Sequence, residues 1–324
     1  MICDCHLHTC FSGDSETPVR DQLDRAIALG MQAVCITDHH DWDAPNEKGE
    51  MDDRFLLDFP RYIPALREIR EEYRGRLDMG IGVELGLQLH ARQDTENVMR
   101  LYGDAFDFII GSIHFVDHYD VYYPQWFAMD VSEPQYGERY IHASRRSRVD
   151  AMDVSESRSD ERFDPASRRI PSREEAEAVT PEKEAARYRH FFEVTLKRLE
   201  SYDCFDSLGH LDFVVRYGPN RNQFYNFKTY GDIISAILEL LIRKDKALEV
   251  NTGGFKYGLG HPNPCEDVLK RYRELGGRLL TVGSDAHVPG FVGYEFDRTA
   301  ELLKEIGFRE YALYRKRVPV MLPL

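Results

Sequence analysis

The chain has 324 residues, of which 42% are hydrophobic and 12% aromatic, and its formal net charge is −14. A chain of this size can bury a large core, and the acidic balance argues against a general nucleic-acid-binding surface, which needs clustered lysine and arginine. No apolar run of about 18 residues is present, and the first residues lack the basic and apolar regions of a signal peptide. We therefore expect a cytoplasmic protein that does not enter a membrane, with its six scattered cysteines as free thiols.

Apolar runs predict seven strands, at residues 2–7, 33–37, 79–85, 106–112, 205–210, 247–251 and 279–284. Several of these runs are apolar throughout, as expected of strands that are buried on both faces of a sheet. Amphipathic stretches between them predict helices that open at Thr17-Pro18 and Thr180-Pro181, and further helices at 230–245 and 265–275. Repeated β-α units predict a parallel sheet with right-handed crossovers, either open or closed into a barrel.

One segment, from about residue 140 to residue 179, breaks this alternation. It is rich in serine, arginine, aspartate and glutamate, and it shows no sustained hydrophobic period. We interpret it as a charged insertion or lid on a single domain of residues 1–324. The pairs Arg145-Arg146 and Arg168-Arg169 could meet an anionic ligand, but an exposed charged surface is the favoured interpretation.

The first predicted strand contains His6 and His8, which are two residues apart. Residues i and i+2 of an extended strand project from the same face, so these two imidazoles can hold a metal ion together. Cys3 and Cys5 have the opposite parity and should face away from the histidines. Alone the histidine pair is a weak signal, since such pairs also occur by chance on solvated strands.

The later predicted strands also end in potential metal ligands. These residues are His39, His40, Glu84, His114, His210, Glu249, Asp285 and His287. In parallel β/α barrels the C-terminal strand ends converge on one rim, where active sites lie. Histidine and carboxylate ligands without paired thiolates favour Zn²⁺, Mn²⁺ or iron, and more than four ligands imply more than one ion.

As an ordered set, the motifs DCHLHTCFSGD, ITDHH, GVELG, GSIHF, GHLD, EVNTGG and GSDAH resemble those of the PHP (polymerase and histidinol phosphatase) superfamily. They extend over residues 4–287, and the resemblance implies a distorted (β/α)7 barrel. The chain length, with GSIHF, EVNTGG and GSDAH followed by Gly293-Tyr294, is most similar to the histidinol-phosphatase branch. Enzymes of that branch hydrolyse L-histidinol phosphate to histidinol and phosphate in histidine biosynthesis.

The resemblance also implies a site for two or three divalent ions (Zn, Mn or Fe). Carried over by motif, the ligands are His6, His8, Glu84 and Asp285 for one ion, Glu84, His114 and His210 for a second, and Asp14, His39 and His287 for a third. Glu84 would bridge two of the ions. Some members of the family have histidine at the position of Asp14, and a carboxylate there is a harder ligand that can change the identity or occupancy of the third ion.

The expected mechanism is metal-assisted hydrolysis of a small phosphomonoester. A hydroxide that bridges the two ions joined by Glu84 would attack phosphorus in line. Arg216 is the candidate phosphate-binding cation, with a surface arginine as an equal alternative. His40, His287 or metal-bound water could protonate the leaving alkoxide.

Supporting roles are expected for several other residues. Asp38 and Asp212 would orient ligand imidazoles, and Asn251 would either bind the substrate or satisfy a strand end, of which the second is favoured. A substrate pocket could be lined by Phe115, Tyr122, Trp126 and Phe255, although aromatic residues near barrel loops more often serve packing. Five histidines match no ligand motif and are expected on the surface or in loops: His90, His118, His142, His190 and His261.

Two alternative functions remain open at this stage. The first is a phosphoesterase of the same superfamily that acts on a nucleotide, an oligonucleotide end or a phosphoprotein, of which the acidic balance disfavours the nucleic-acid version. The second is a metal-binding regulatory protein without catalysis, against which the completeness of the ligand set argues. The sequence does not specify an oligomeric state.

Overall fold

The computed structural model describes residues 2–130 and 170–324. Its central feature is a parallel sheet whose seven strands are hydrogen-bonded in chain order: β1 (Cys3–Leu7), β2 (Ala33–Ile36), β4 (Asp78–Gly86), β5 (Phe108–Ser112), β8 (Ser207–Leu208), β9 (Ala247–Asn251) and β10 (Leu280–Gly283). A two-residue strand, β3 (His39–His40), also pairs with β4. Each strand overlaps one predicted from the apolar runs, so the distorted (β/α)7 barrel is confirmed.

The barrel is closed by contacts between its first and last strands. The N–H of Asp285 donates to the carbonyl of His6 at 2.9 Å, and the N–H of His8 donates to the carbonyl of Ala286 at 3.0 Å. The buried carboxylate of Asp4 accepts hydrogen bonds from the N–H and the hydroxyl of Ser284, at 2.9 and 2.5 Å. Burial raises the pKa of Asp4 to about 6 even though these hydrogen bonds favour its charged form.

Ten helices alternate with or follow the strands in the described ranges: α1 (Val19–Ala28), α2 (Phe59–Glu72), α3 (Arg92–Tyr102), α4 (Gln125–Ala128), α5 (Arg173–Glu177), α6 (Pro181–Ser201), α7 (Phe227–Arg243), α8 (Gly253–Lys256), α9 (Glu266–Glu274) and α10 (Phe296–Ile306). The predicted start of α6 is confirmed, because the Thr180 side chain accepts a hydrogen bond from the N–H of Lys183. Thr17 does not cap α1. Its hydroxyl donates instead to the carbonyl of His287 at 2.7 Å and so ties the start of α1 to the loop after β10.

A C-terminal hairpin, β11 (Glu310–Arg315) and β12 (Val318–Pro323), packs across the N-terminal ends of the barrel strands. The Tyr314 ring stacks on Phe108 at 5.0 Å, at the start of β5. The Cys5 thiol lies 3.9 Å from the carbonyl of Ala312, and the Cys3 and Cys5 sulfurs are 3.7 Å apart. The parity prediction is therefore confirmed, since these thiols face the hairpin and not the histidines.

The predicted insertion at 140–179 lies mostly outside the described residues, and Arg145-Arg146 and Arg168-Arg169 lie there too. Its described end contains α5, which begins with a reciprocal capping box between Ser172 and Glu175.

All six cysteines are free thiols. Among the described residues, no helix is both long enough and apolar enough to cross a membrane.

Candidate metal centre

The C-terminal strand ends bring all nine predicted ligands together. Three overlapping groups have ligand atoms within 4.8 Å of one another: His6, His8 and Asp285; His39, Glu84 and His114; His8, His39 and His287. The two remaining ligands lie against these groups. Asp14 Oδ2 is 3.1 Å from His287 Nε2, and His210 Nε2 is 3.0 Å from Glu84 Oε1.

Glu84 lies at the centre of the cluster, and its two oxygens face different imidazoles. Oε2 is 3.3 Å from His6 Nε2 and 3.4 Å from His8 Nε2. Oε1 is 3.2 Å from His114 Nε2 and 3.0 Å from His210 Nε2. This is the arrangement that a bridging carboxylate requires, because each oxygen belongs to a separate set of donors.

The Nε2 atoms of His6 and His8 are only 3.0 Å apart. His6 Nδ1 lies 2.6 Å from a carboxylate oxygen of Glu249 and therefore donates its proton there. The hydroxyl of Ser12 donates to Asp38 at 2.7 Å, so it can only accept from His8 Nδ1, 3.0 Å away. Both Nε2 lone pairs consequently point at the same space, which must hold a cation, either a proton or a metal ion.

The second group shows the same arrangement. His114 Nδ1 donates to Asp41 Oδ1 at 2.9 Å, which leaves the Nε2 lone pair directed at Glu84. His39 Nδ1 lies 3.0 Å from Glu84 Oε2, while its Nε2 lies 3.7 Å from Asp14. His39 therefore connects the central carboxylate with the outer group formed by Asp14 and His287.

The charges of the cluster support this description. Burial opposes the ionisation of Glu84, yet the neighbouring imidazoles hold its pKa well below its usual range. Burial likewise disfavours a charged His114, but Asp41 and Glu84 raise its pKa to about 10. Burial and the adjacent His287 and His39 rings lower the pKa of His8. A buried site with ionised carboxylates and inward-facing nitrogen lone pairs fits divalent ions of the zinc, manganese and iron type, which replace protons on the ligands when they bind.

The cluster forms the floor of a cavity of about 480 Å³. Phe115 and Tyr122 line it, as expected, together with Phe55, Tyr123, Phe213, Tyr217 and Tyr257. Two expected lining residues are not part of its described wall. The indole N–H of the buried Trp126 donates to the carbonyl of Val116, and the Phe255 ring lies beneath the guanidinium of Arg298.

Arg216 lines the same cavity and is 3% exposed, so the surface alternative is wrong. Its guanidinium donates to Asn263 at 2.7 Å, to Asn251 at 2.7 Å and to Asp285 at 2.9 Å. Asn251 therefore does more than satisfy a strand end, because it also fixes this cation. Lys256 is a second cation in the cavity wall, and burial lowers its pKa.

Of the two histidines expected to act as proton donors, only His287 lines the described cavity. His40 packs against the rings of Phe59 and Trp42, and its Nδ1 accepts a hydrogen bond from the N–H of Leu57. Adjacent residues of a strand point to opposite faces, so His40 is directed away from the site that His39 enters.

The sequence analysis missed two carboxylates that orient ligands. Glu249 accepts from His6 Nδ1 at 2.6 Å and from the N–H of His210 at 2.8 Å, and Asp41 accepts from His114 Nδ1. Glu249 is one of the potential metal ligands expected at the strand ends, but it orients His6 instead, and no local motif connects either carboxylate with the histidine it holds.

Asp38 has the expected supporting role, which it exerts on His8 through the Ser12 hydroxyl. Asp212 does not orient an imidazole. It binds the Tyr225 hydroxyl, the Asn263 side chain and the N–H of Cys265, and so supports the residues behind Arg216.

Two of the histidines expected on the surface or in loops are buried. The ring of His190 lies 2.9 Å from Asp117, and that of His261 lies 3.0 Å from the side-chain oxygen of Asn222. His142 lies outside the described residues.

Comparisons with known proteins agree with this geometry. A histidinol-phosphatase from Lactococcus lactis is 26% identical over 314 residues, which cover 96% of this chain and 93% of the relative. The histidinol-phosphatase of Bacillus subtilis is 22% identical over 307 residues, or 92% of this chain and 98% of the relative. The crystal structure of the Lactococcus lactis histidinol phosphate phosphatase, in complex with zinc, L-histidinol and phosphate, superposes with a TM-score of 0.73 at 25% identity and covers 98% of both chains.

The sequence profile of the PHP domain matches residues 4–165, which is half of the 324-residue chain. That range contains His6, His8, Asp14, Glu84 and His114, and so includes the central carboxylate of the cluster together with donors from each of its three groups. The barrel, its seven strand ends and this profile match lead to one conclusion: the chain belongs to the PHP domain family.

Proposed function

We propose that this protein is a metal-dependent phosphomonoester hydrolase that converts L-histidinol phosphate to L-histidinol and phosphate. The observation that carries the proposal is the position of Glu84, whose two oxygens each face a separate set of buried imidazoles beneath an open cavity. Two further points support it. The whole chain aligns with histidinol-phosphatases, and one of these binds zinc, L-histidinol and phosphate together.

The ligands would hold two or three divalent ions in the groups expected from the sequence. His6, His8 and Asp285 would hold the first, His114 and His210 the second, and Glu84 would join the two. Asp14, His39 and His287 would hold the third. Bound there, such ions would polarise the phosphoryl oxygens and lower the pKa of water. We propose zinc, manganese or iron for these positions.

Arg216 would bind the phosphoryl group. Its three anchors leave one N–H on each terminal nitrogen for an anion, because a guanidinium carries five N–H donors. Lys256, in the short helix-containing loop of residues 251–257 that also contains the Arg216 partner Asn251, would add another positive charge. In the form with two ions, where His287 holds no metal, we propose His287 as the protein group that supplies a proton to the leaving alkoxide, since it lines the cavity and His40 does not.

A substrate panel tests this function. The metal-free protein, prepared with a chelator, would be assayed for phosphate release from histidinol phosphate, nucleoside monophosphates and p-nitrophenyl phosphate, before and after Mn²⁺ or Zn²⁺ is restored. We expect metal-dependent turnover with the highest kcat/KM for histidinol phosphate. Efficient hydrolysis of nucleotides without hydrolysis of histidinol phosphate would show that the substrate is a nucleotide. If no ester is hydrolysed, the proposal that the protein is a phosphatase is refuted.

A further inference from the structure

Asp120 differs from the other carboxylates in the described wall of the cavity. That wall contains Asp14, Asp41, Asp52, Asp120 and Asp285. Four of them lie within 3.1 Å of a basic side chain: Asp14 of His287, Asp41 of His114, Asp52 of Arg54 and Asp285 of Arg216. The side chain of Asp120 accepts one hydrogen bond in the described part of the chain, from the N–H of Tyr122 at 2.8 Å, and has no basic partner at ion-pair distance there.

The backbone fixes Asp120 close to the metal ligands. A short hairpin, β6 (Phe115–Val116) and β7 (Tyr119–Asp120), follows strand β5, and Asp120 pairs directly with Phe115. The N–H of Val121 donates to the carbonyl of His114 at 3.2 Å. Asp120 therefore lies beside a ligand of the second group, and its position depends on main-chain pairing and not on a salt bridge of its own.

A half-buried carboxylate without a cation is costly, and a wall position open to a cavity lets a ligand supply the missing charge. Burial raises the pKa of Asp120 to about 7, and a cation bound beside it would lower that value again. The aromatic side chains of Phe115, Tyr122 and Tyr123 line the same cavity. Rings of low polarity at this position would strengthen an ion pair formed there.

We propose that Asp120 binds the ammonium group of the substrate, which makes the site selective for phosphate esters of amino alcohols. This inference rests on the proposed function, in which the metal ligands and Arg216 hold the phosphoryl group. In histidinol phosphate the amino group is on the carbon next to the ester carbon, so a carboxylate beside the metal ligands is placed to receive it. The four other carboxylates of the described wall already have partners.

The test compares each amino ester with its counterpart that lacks the amino group. Wild type and Asp120→Asn would be assayed with histidinol phosphate and 3-(imidazol-4-yl)propyl phosphate, and with phosphoethanolamine and ethyl phosphate. Loss of a charge-assisted hydrogen bond should lower kcat/KM for the amino esters by about tenfold or more, mainly through KM, and leave the esters without an amino group unchanged. Asp120→Glu should restore part of the preference. Asp104→Asn, which changes an exposed carboxylate outside the cavity, is the control and should retain the full preference for amino esters.

Each other result has a definite meaning. If Asp120→Asn keeps its metal content but loses kcat equally for the amino esters and for their counterparts without an amino group, Asp120 is a proton donor and the proposal is overturned. No loss of activity with any ester would overturn it as well. If Asp120→Asn does not fold, wild-type product inhibition decides instead: histidinol should inhibit about tenfold more strongly than 3-(imidazol-4-yl)propanol, and equal inhibition refutes the proposal. Failure of wild type on histidinol phosphate alone would refute the proposed substrate, while the phosphoethanolamine pair would still test Asp120.

Discussion

The carboxylate of Glu249 and the imidazole of His6 meet 2.6 Å apart, although they belong to strands β9 and β1, with β10 between them. The second oxygen of Glu249 accepts the N–H of His210 at 2.8 Å. One buried side chain thus fixes the ring of one proposed metal ligand, His6, and the backbone of another, His210. Such contacts set which imidazole nitrogen carries the proton, and therefore which nitrogen is available to a metal ion.

Glu249→Gln should weaken metal binding without removing a ligand. A glutamine amide has a single, uncharged oxygen, so it cannot accept hydrogen bonds from both His6 Nδ1 and the His210 N–H as the carboxylate does. We therefore expect metal affinity to fall by about 10- to 100-fold. Titration of the chelator-treated protein with Zn²⁺ would measure this, and excess metal should restore most of the activity. Glu239→Gln, an exposed glutamate on α7, is the control. Unchanged affinity in Glu249→Gln would contradict the role assigned to this carboxylate.

Glu84→Gln should have a different effect, because it removes the proposed bridge itself. We expect the loss of at least one bound ion per chain in elemental analysis and a fall in kcat of about 100-fold or more, which excess metal does not reverse. Asp14→Asn offers a comparison within the cluster, since it should affect only the third ion. Full metal content in the Glu84 variant would show that the bridge is wrongly assigned.

The cysteines should react with thiol reagents in an order set by their environment. Cys10 is exposed, while Cys3, Cys5 and Cys35 are buried. Burial raises the pKa of Cys204 to about 11 and that of Cys265 to about 12, which leaves little reactive thiolate. A maleimide should therefore modify one thiol of the folded protein first, and Cys10→Ser should remove that phase. Rapid modification of several thiols in the native protein would contradict the described packing.

The titration of Asp4 should lower the free energy of unfolding as the pH rises from the acidic range towards neutrality. Burial raises its pKa from 3.8 to about 6, so between these values the folded chain retains a proton that the unfolded chain has lost. Its contribution to the free energy of unfolding therefore falls as pH rises through this window, and it stays constant above it.

Urea unfolding of chelator-treated wild type and Asp4→Asn would measure this effect. Relative to the variant, wild type should lose about 1 kcal/mol between about pH 5 and about pH 7.5. An equal stability difference at both pH values would show that Asp4 does not titrate in this range. The comparison between the two proteins cancels the titration of the cluster histidines, which both share.

Features that depend on a short repeat could be predicted from the sequence alone. The period of two placed His6 and His8 on one face and turned Cys3 and Cys5 towards the other, as the structure confirms. The same rule, applied to His39-His40, turns His40 away from the site that His39 enters.

Residues that act across the barrel could not be assigned in this way. Glu249 is separated from His6 by 243 positions, and Asp41 from His114 by 73. Their roles follow from strand order and ring orientation, which no local pattern encodes. Thr17 is a similar case, because a good helix-capping residue forms a tertiary hydrogen bond instead.

The closure between β1 and β10 joins Asp4 to Ser284, 280 positions later in the chain. Ligands from both sides of this junction, among them His8 and Asp285, share one group of donors. Contacts of such long range form late and slowly during folding, because loop entropy must be overcome first. A metal ion that binds only the completed site would therefore stabilise the closed barrel relative to forms in which β1 and β10 are apart. The supply of metal would then determine how much of the protein survives proteolysis, as well as its catalytic rate.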